Sequence, residues 1–316
     1  MAQPTGAFSS YDAVGNREDL TDMIWDVSPT ATPIISAAGK GKATNRTHEW
    51  QTDALTAVAA NAHIEGDDAT PAAPAATTRL SNYTQILKKH VVVTGTQEDG
   101  MNPAGRNKEL AYQKARRLKE IKRDLEYAVA GLNNPKVEGN DTTAREMGSI
   151  QTYLTSNTNF NTGDGADPTG NSVNGRTDGT QRALTEAMLQ DVLQSCFDNG
   201  GDPSLMVVGS YNKGVVSGFD GGQTAFQDKS DKKLVNAVDI YVGDFHELRV
   251  VADHFSRSRD ALLIDPSHVK MADMRAVHSY DLAKTGDSYR QEIVWETTLE
   301  VCNEAAHGII ADLTTA

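Results

Sequence analysis

Residues 54–78 hold ten alanines, Pro71 and Pro74, and the polar stretch Glu65-Gly66-Asp67-Asp68, a composition that supplies no core of its own. Structureless connections of this length are uncommon inside compact domains and are usually functional or partner-bound. The chain must therefore fold around a long exposed excursion. On one side of it lie residues 45–52, and on the other residues 82–96 with the run Val91-Val92-Val93-Thr94. β-Branched side chains suit a pleated strand, so the two flanks are expected to pair as one long hairpin.

The strongest local pattern is a helix over 102–132. Asn102 can cap it, and Pro103 sits at the first helical position, where a missing N–H costs nothing. Leu118, Ile121, Leu125, Ala128 and Leu132 recur at three- and four-residue spacing, one apolar stripe along about 45 Å of straight helix. Asn133-Asn134-Pro135 is the stop. The segment carries a net charge of +4 within a chain of net charge −13, so the remainder stands at −17. At 100° per residue Lys108, Arg116, Lys119 and Arg123 fall opposite the stripe, with Glu109, Glu120 and Glu126 sharing or bordering that face. A charged stripe of this kind is ordinarily a solvated face; the alternative is a surface that meets nucleic acid through phosphate neutralisation, effective only when many copies are arrayed.

Residues 1–50 show little periodicity and read as an extended arm with a short helix over 17–27. An arm this poor in apolar residues cannot fold alone. Between residues 151 and 180, 22 of 30 side chains are Asn, Thr, Gly, Asp or Ser, which predicts a surface insertion or mobile loop. A second helix follows, capped by Thr185, with Leu189, Val192, Leu193, Cys196 and Phe197 on its apolar face and Asn199-Gly200-Gly201 as its end. Residues 205–208 and 261–264 read as buried strands. Leu248, Val250 and Ala252 alternate, and Ile293, Trp295, Thr297, Leu299 and Val301 mark the clearest strand. The fold class is α+β.

Composition removes several functions. With 38% hydrophobic residues, mean hydropathy −0.48 and no run near the roughly 18 apolar residues of a membrane helix, a membrane role is excluded. The N-terminus lacks a secretory pattern, and Cys196 and Cys302 read as ordinary thiols of a reducing compartment. No cofactor, metal or catalytic site emerges. Gly39-Lys40-Gly41-Lys42-Ala43 lacks the earlier glycine and following hydroxyl of a phosphate-binding loop. Val208 and Asn212 stand where a nucleophile elbow around Ser210 needs glycine. Gly163-Asp164-Gly165-Ala166-Asp167 lacks the alternating oxygen ligands of a calcium loop. The eight histidines include no metal pair on a helix, and His246 and His254 have no third partner.

Three stretches are the most specific: Tyr11-Asp12-Ala13-Val14-Gly15-Asn16-Arg17-Glu18-Asp19-Leu20 leading to Ser28-Pro29-Thr30-Ala31-Thr32-Pro33; Arg145-Glu146-Met147-Gly148-Ser149-Ile150; and Trp295-Glu296-Thr297-Thr298-Leu299-Glu300-Val301 continuing to residue 308. With the order of the parts, they resemble the major capsid proteins of tailed bacteriophages, which have the HK97-like fold. The resemblance implies an N-terminal arm at 1–45, an extended loop at 46–100, a peripheral domain at 101–182 with the spine helix 102–132, an axial domain at 183–245, and return strands mainly of the peripheral domain at 246–316. It implies a non-enzymatic head protein that assembles as hexamers and pentamers into an icosahedral shell around double-stranded DNA, in the virion after assembly in the host cytoplasm. Lys108, Arg116, Lys119 and Arg123 would face that DNA, and scaffolding, portal and decoration or cement proteins would be partners. No self-cross-linking is expected, because residues 53–78 contain no lysine. An encapsulin-type compartment shell is the alternative, and a cytosolic hydrolase the reading outside shells.

Overall fold

The computed structural model describes residues 28–68, 74–101, 107–219 and 240–316; the arm before residue 28, with its expected short helix, and the expected cap at Asn102-Pro103 lie outside them. Four α-helices are described: α1 (Pro33–Ala37), α2 (Glu109–Glu126), α3 (Glu186–Asp198) and α4 (Ser210–Ser217). The strands of the first half are β1 (Gly39–Lys42), β2 (Thr47–Thr52), β3 (Thr78–Tyr83), β4 (Gln85–Thr94) and β5 (Thr158–Asn159). Those of the second half are β6 (Leu205–Val208), β7 (Ile240–Val242), β8 (Glu247–Ala252), β9 (Ala261–Ile264), β10 (Val269–Asp281), β11 (Ser288–Val301) and β12 (Gly308–Ile310).

A four-stranded sheet runs β1-β10-β11-β4 and a six-stranded sheet β5-β12-β9-β6-β8-β7, while β2 and β3 form a separate pair. The six-stranded sheet explains the apolar runs. Leu205, Val207, Leu262 and Ile264 point into one core, and Met206, Val208, Ala261 and Leu263 into another. A strand covered on both faces needs apolar residues at every position. The first core is closed by Leu125, the turn after α2, residues 147–154 and the ends of β10 and β11; the second is closed by α3 and α4. Because β8 and β9 flank β6, this sheet continues past residue 245.

The expected hairpin is corrected. β2 pairs with β3, from Thr47↔Tyr83 to Thr52↔Thr78, whereas the valine run lies in β4 and pairs with β11. The chain changes sheets at a single residue, Thr84. The long helix is corrected too. Lys108 has extended backbone, and α2 begins at Glu109, where the Glu98 carboxylate accepts the N–H of Leu110 at 2.9 Å. A carboxylate there satisfies a free donor and complements the helix dipole. The helix closes in a π-turn, Tyr127–Gly131, instead of running to residue 132. Ile121, Leu125 and Ala128 are buried as the stripe predicts, but Leu118 is exposed. In α3 Thr185 caps as predicted and Leu189, Val192, Leu193 and Cys196 are buried, whereas Phe197 is exposed.

The polar segment 151–180 is held in place rather than loose. Asp312 accepts from the N–H groups of Asn161 (3.1 Å) and Gly179 (2.7 Å) and from Arg259 (3.0 Å). Buried Arg176 pairs with Asp167, and Asn133 brackets the Arg176 backbone through bonds of 2.8 and 2.6 Å. Tyr153 and Leu154 enter the core. Side-chain-to-backbone bonds here replace the apolar packing that the composition lacks.

Residues 33–42, expected as extended arm, form α1 and the edge strand β1. A fully buried carboxylate docks α1 on α2: Glu126 accepts from the N–H groups of Ile34 (2.8 Å) and Ile35 (3.0 Å). Burial lifts its pKa from 4.5 to about 7; Asp253 adds to this, while the two N–H donors and Lys122 oppose it. The folded pKa lies above the unfolded one, so this group's stabilising contribution is full below the unfolded value and is lost as pH rises through about 7. Glu126→Gln is expected to flatten the decline in unfolding free energy between about pH 4.5 and 7, measured by urea titration at several pH values. An undiminished slope in the variant contradicts the assignment.

Candidate functional site

Two surfaces carry the features singled out in the sequence. The first is the tip of the β2–β3 hairpin. Residues 53–68 and 74–77 are exposed throughout, and they include Leu55 and Val58, both fully exposed, and Ile64 at 86%. Three large apolar side chains on one uncovered excursion depart from the scattered exposure of an ordinary surface. Its polar residues bond locally, as His63 does to Asp67 (3.1 Å) and Asn61 (2.8 Å).

The second is the basic face of α2. The helix places Arg116, Lys119 and Arg123 within one quadrant, with Lys108 at its start. The four are not equivalent. Lys108 donates to the Glu98 carbonyl (3.1 Å) and lies 3.6 Å from Asp99, and the Arg123 guanidinium stacks 5.2 Å from the Phe255 ring. Arg116 lies 5.9 Å from the Tyr112 ring centre and is exposed, as is Lys119; among the described residues neither has an ion-pair partner. Other cations nearby are engaged within the subunit: Arg117 with Glu120 (2.6 Å), Lys89 with Asp124 (2.7 Å), and Lys122 with Ser36 (3.1 Å).

The motifs tested for catalysis are absorbed by the fold. Lys40 and Lys42 lie on the edge strand β1, Ser210 opens α4, Asp164 accepts from Thr180, and Asp167 pairs with Arg176. His246 bonds Asp202 at 3.0 Å, and His254 lies beside Phe255. Among the described residues, no group of three or more His, Cys, Asp or Glu is placed to hold a metal. Burial pushes the Cys196 thiol up to about 12 and raises that of Cys302, leaving both poor nucleophiles.

Sequence reasoning missed a polar collar at the hairpin root. Buried Asn82 accepts from the N–H of Gly148 (2.9 Å) and donates to the Leu299 carbonyl (2.9 Å). Buried Thr84 donates to Glu296 (3.1 Å), which also receives Arg145 and Arg275, each at 2.6 Å. The available signal was the placement of polar residues at inward positions of strand-like segments, which demands partners. Burial pushes the Glu296 carboxyl up, but the bonds from Arg275 and Thr84 and the charges of Arg275 and Arg145 outweigh it and hold it below the usual glutamate range. The collar thus brings together two of the three stretches that carried the resemblance.

Comparison with known proteins decides between a phage capsid subunit and the alternatives. The profile of the SU10 major capsid protein family matches residues 3–314. The chain belongs to the SU10 major capsid protein family. The major capsid protein of Escherichia phage Phieco32 is 30% identical to it over 353 residues, covering 98% of this chain and 97% of its own. Among solved structures, the capsid asymmetric unit of cyanophage A-1(L) superimposes with a TM-score of 0.71 at 12% identity, covering 98% of this chain and 99% of its own. The capsid of a native GTA particle gives 0.63 at 12% identity, covering 96% and 97%. A structure from Mycobacterium phage Cain gives 0.62 at 13%, covering 98% and 100%. The SU10-type capsid subunit therefore has the HK97-like α+β fold, and it is a structural component of a phage shell, not an enzyme. The encapsulin and hydrolase readings are set aside. No described helix is long and apolar enough to cross a membrane.

Proposed function

We propose that this subunit assembles into hexamers and pentamers of an icosahedral head, that the tip of its β2–β3 hairpin packs on a neighbouring subunit, and that the basic face of α2 lies toward packaged double-stranded DNA. The observation that carries the reading is the full exposure of Leu55 and Val58 on an excursion with no core of its own. A second copy of the chain supplies the cover that the subunit lacks. Assembly in the host cytoplasm, with scaffolding, portal and decoration proteins as partners, accords with this role.

The DNA-facing residues would be Lys108, Arg116, Lys119 and Arg123, with Arg116 and Lys119 the most available, since Lys108 and Arg123 already have contacts within the subunit. Each copy adds little; the shell multiplies it, and the contact reads charge rather than sequence. Changing all four residues to Gln is expected to leave shell formation intact while lowering the DNA retained as salt is raised, measured as nucleic-acid content of purified particles. Unaltered retention across the salt series would show a solvated or subunit-contact face instead.

A further inference from the structure

The stretches at residues 145–150 and 295–301 have no assigned task in assembly, yet both converge on the point where the hairpin leaves the body. Thr84 is the only residue between β3, which belongs to the hairpin, and β4, which is built into the four-stranded sheet. A one-residue junction between a projecting element and a fixed one is where freedom of direction would reside. Here it has been removed. The N–H of Thr84 donates to the Arg46 carbonyl at 2.8 Å, tying the outgoing strand to the returning one, and its hydroxyl donates to Glu296 at 3.1 Å.

Glu296 is itself immobilised. It is 3% exposed, one of its oxygens accepts from both Thr84 and Arg145, and the other accepts from Arg275. Charge-assisted bonds shielded from water are strong and directional, so the carboxylate cannot shift without breaking one of them. The sheet is adapted to this point: Arg275 pairs directly with Glu296 across the β10–β11 ladder, which slips register on both sides of Arg275. Such bulges re-aim a side chain. On the other side of β11, the ladder with β4 ends at Thr297↔Gln85, the residue after Thr84. Neighbouring groups complete the collar. Met147 N–H donates to the Gln85 side chain (3.2 Å), Thr298 donates to the Tyr83 carbonyl (2.9 Å), and Lys136 and Tyr153 donate to the Ser81 carbonyl (2.8 and 3.0 Å).

We infer that Glu296, bound by Thr84, Arg145 and Arg275, is a positioning residue for assembly: it fixes the direction in which the hairpin projects before any neighbour is present. A preset direction lowers the ordering cost of each contact made during assembly. The inference rests on the reading that the hairpin tip engages a second copy, but it concerns the lone subunit and can be tested there.

Its test is a distance measurement between spin labels in the full-length, unassembled chain. Labels are placed at Asp53→Cys, just beyond β2, and Gln194→Cys on the exposed side of α3, with Cys302→Ser and the buried Cys196 left in place. The parent is expected to give one narrow distribution. Thr84→Val, which exchanges the hydroxyl for a methyl group, and Glu296→Gln are expected to broaden it at least twofold and to slow shell formation about tenfold in the unlabelled chain. Narrow distributions in both variants, with only a lower thermal midpoint, would make the collar a stabilising cluster without a positioning role, and a broad distribution in the parent would overturn the inference outright. If Glu296→Gln fails to fold, Thr84→Val alone decides. Should the tip prove dispensable for assembly, the distances still report whether the direction is preset, so the two readings fail separately.

Discussion

A subunit in which Leu55, Val58 and Ile64 are all replaced by serine folds, stays in solution and does not close into shells. None of the three touches the subunit's own core, so the exchange removes nothing that stabilises the monomer. What it removes is apolar surface available to a neighbour. Burial of one such side chain is worth about 1.5–3 kcal/mol, and the contact recurs at every copy, so assembly is far more sensitive than any single interface energy indicates. Circular dichroism and thermal unfolding are expected to match the parent, while sedimentation shows small species at concentrations where the parent forms particles. Shells of normal yield from the triple variant would remove the hairpin tip from the assembly interface.

Gly148→Ala is expected to cost about 3 kcal/mol, as overpacking of a closed site does. A Cβ there would lie 1.7 Å from the Ser172 hydroxyl oxygen and 2.6 Å from its Cβ. Ser172 cannot yield easily: it is fully buried, with positive φ, and its oxygen accepts from Thr152 (2.8 Å) and from the N–H of Lys136 (3.0 Å). Pushing Gly148 the other way breaks its bond to Asn82 and loosens the hairpin root. Chemical denaturation should show the loss, and hydrogen exchange should show faster opening of residues 80–85. Parent-like stability would mean that the 134–152 segment adapts around the extra methyl group.

The parts of this fold that were legible in the sequence are those decided by neighbours along the chain. Thr185 and the spacing of Leu189, Val192, Leu193 and Cys196 define α3 without outside help, and the runs in β6 and β9 announce strands covered on both faces. Where a distant residue decides, local reasoning failed. The valine run has strand character, but its partner is β11, about 200 residues away, and no local signal distinguishes that pairing from a hairpin. The start of α2 is set by Glu98, outside the helix pattern. Residues 151–180 look loose by composition because their order comes from single polar bonds to Asp312, Asn133 and Arg259, which leave no periodic trace. The basic face was legible as a quadrant of charge, but not the contacts that occupy Lys108 and Arg123 within the subunit. The collar was the least visible, since Thr84, Arg145 and Glu296 are separated by 61 and 151 residues and become one site only in the folded chain.

Electron microscopy of the purified protein, concentrated and co-expressed with its neighbouring phage genes, tests the account most directly. Icosahedral shells, or rings of five and six subunits, are the predicted result, with density for the hairpin of each subunit reaching across the next. A monodisperse monomer at every concentration and with every co-expressed gene would contradict it.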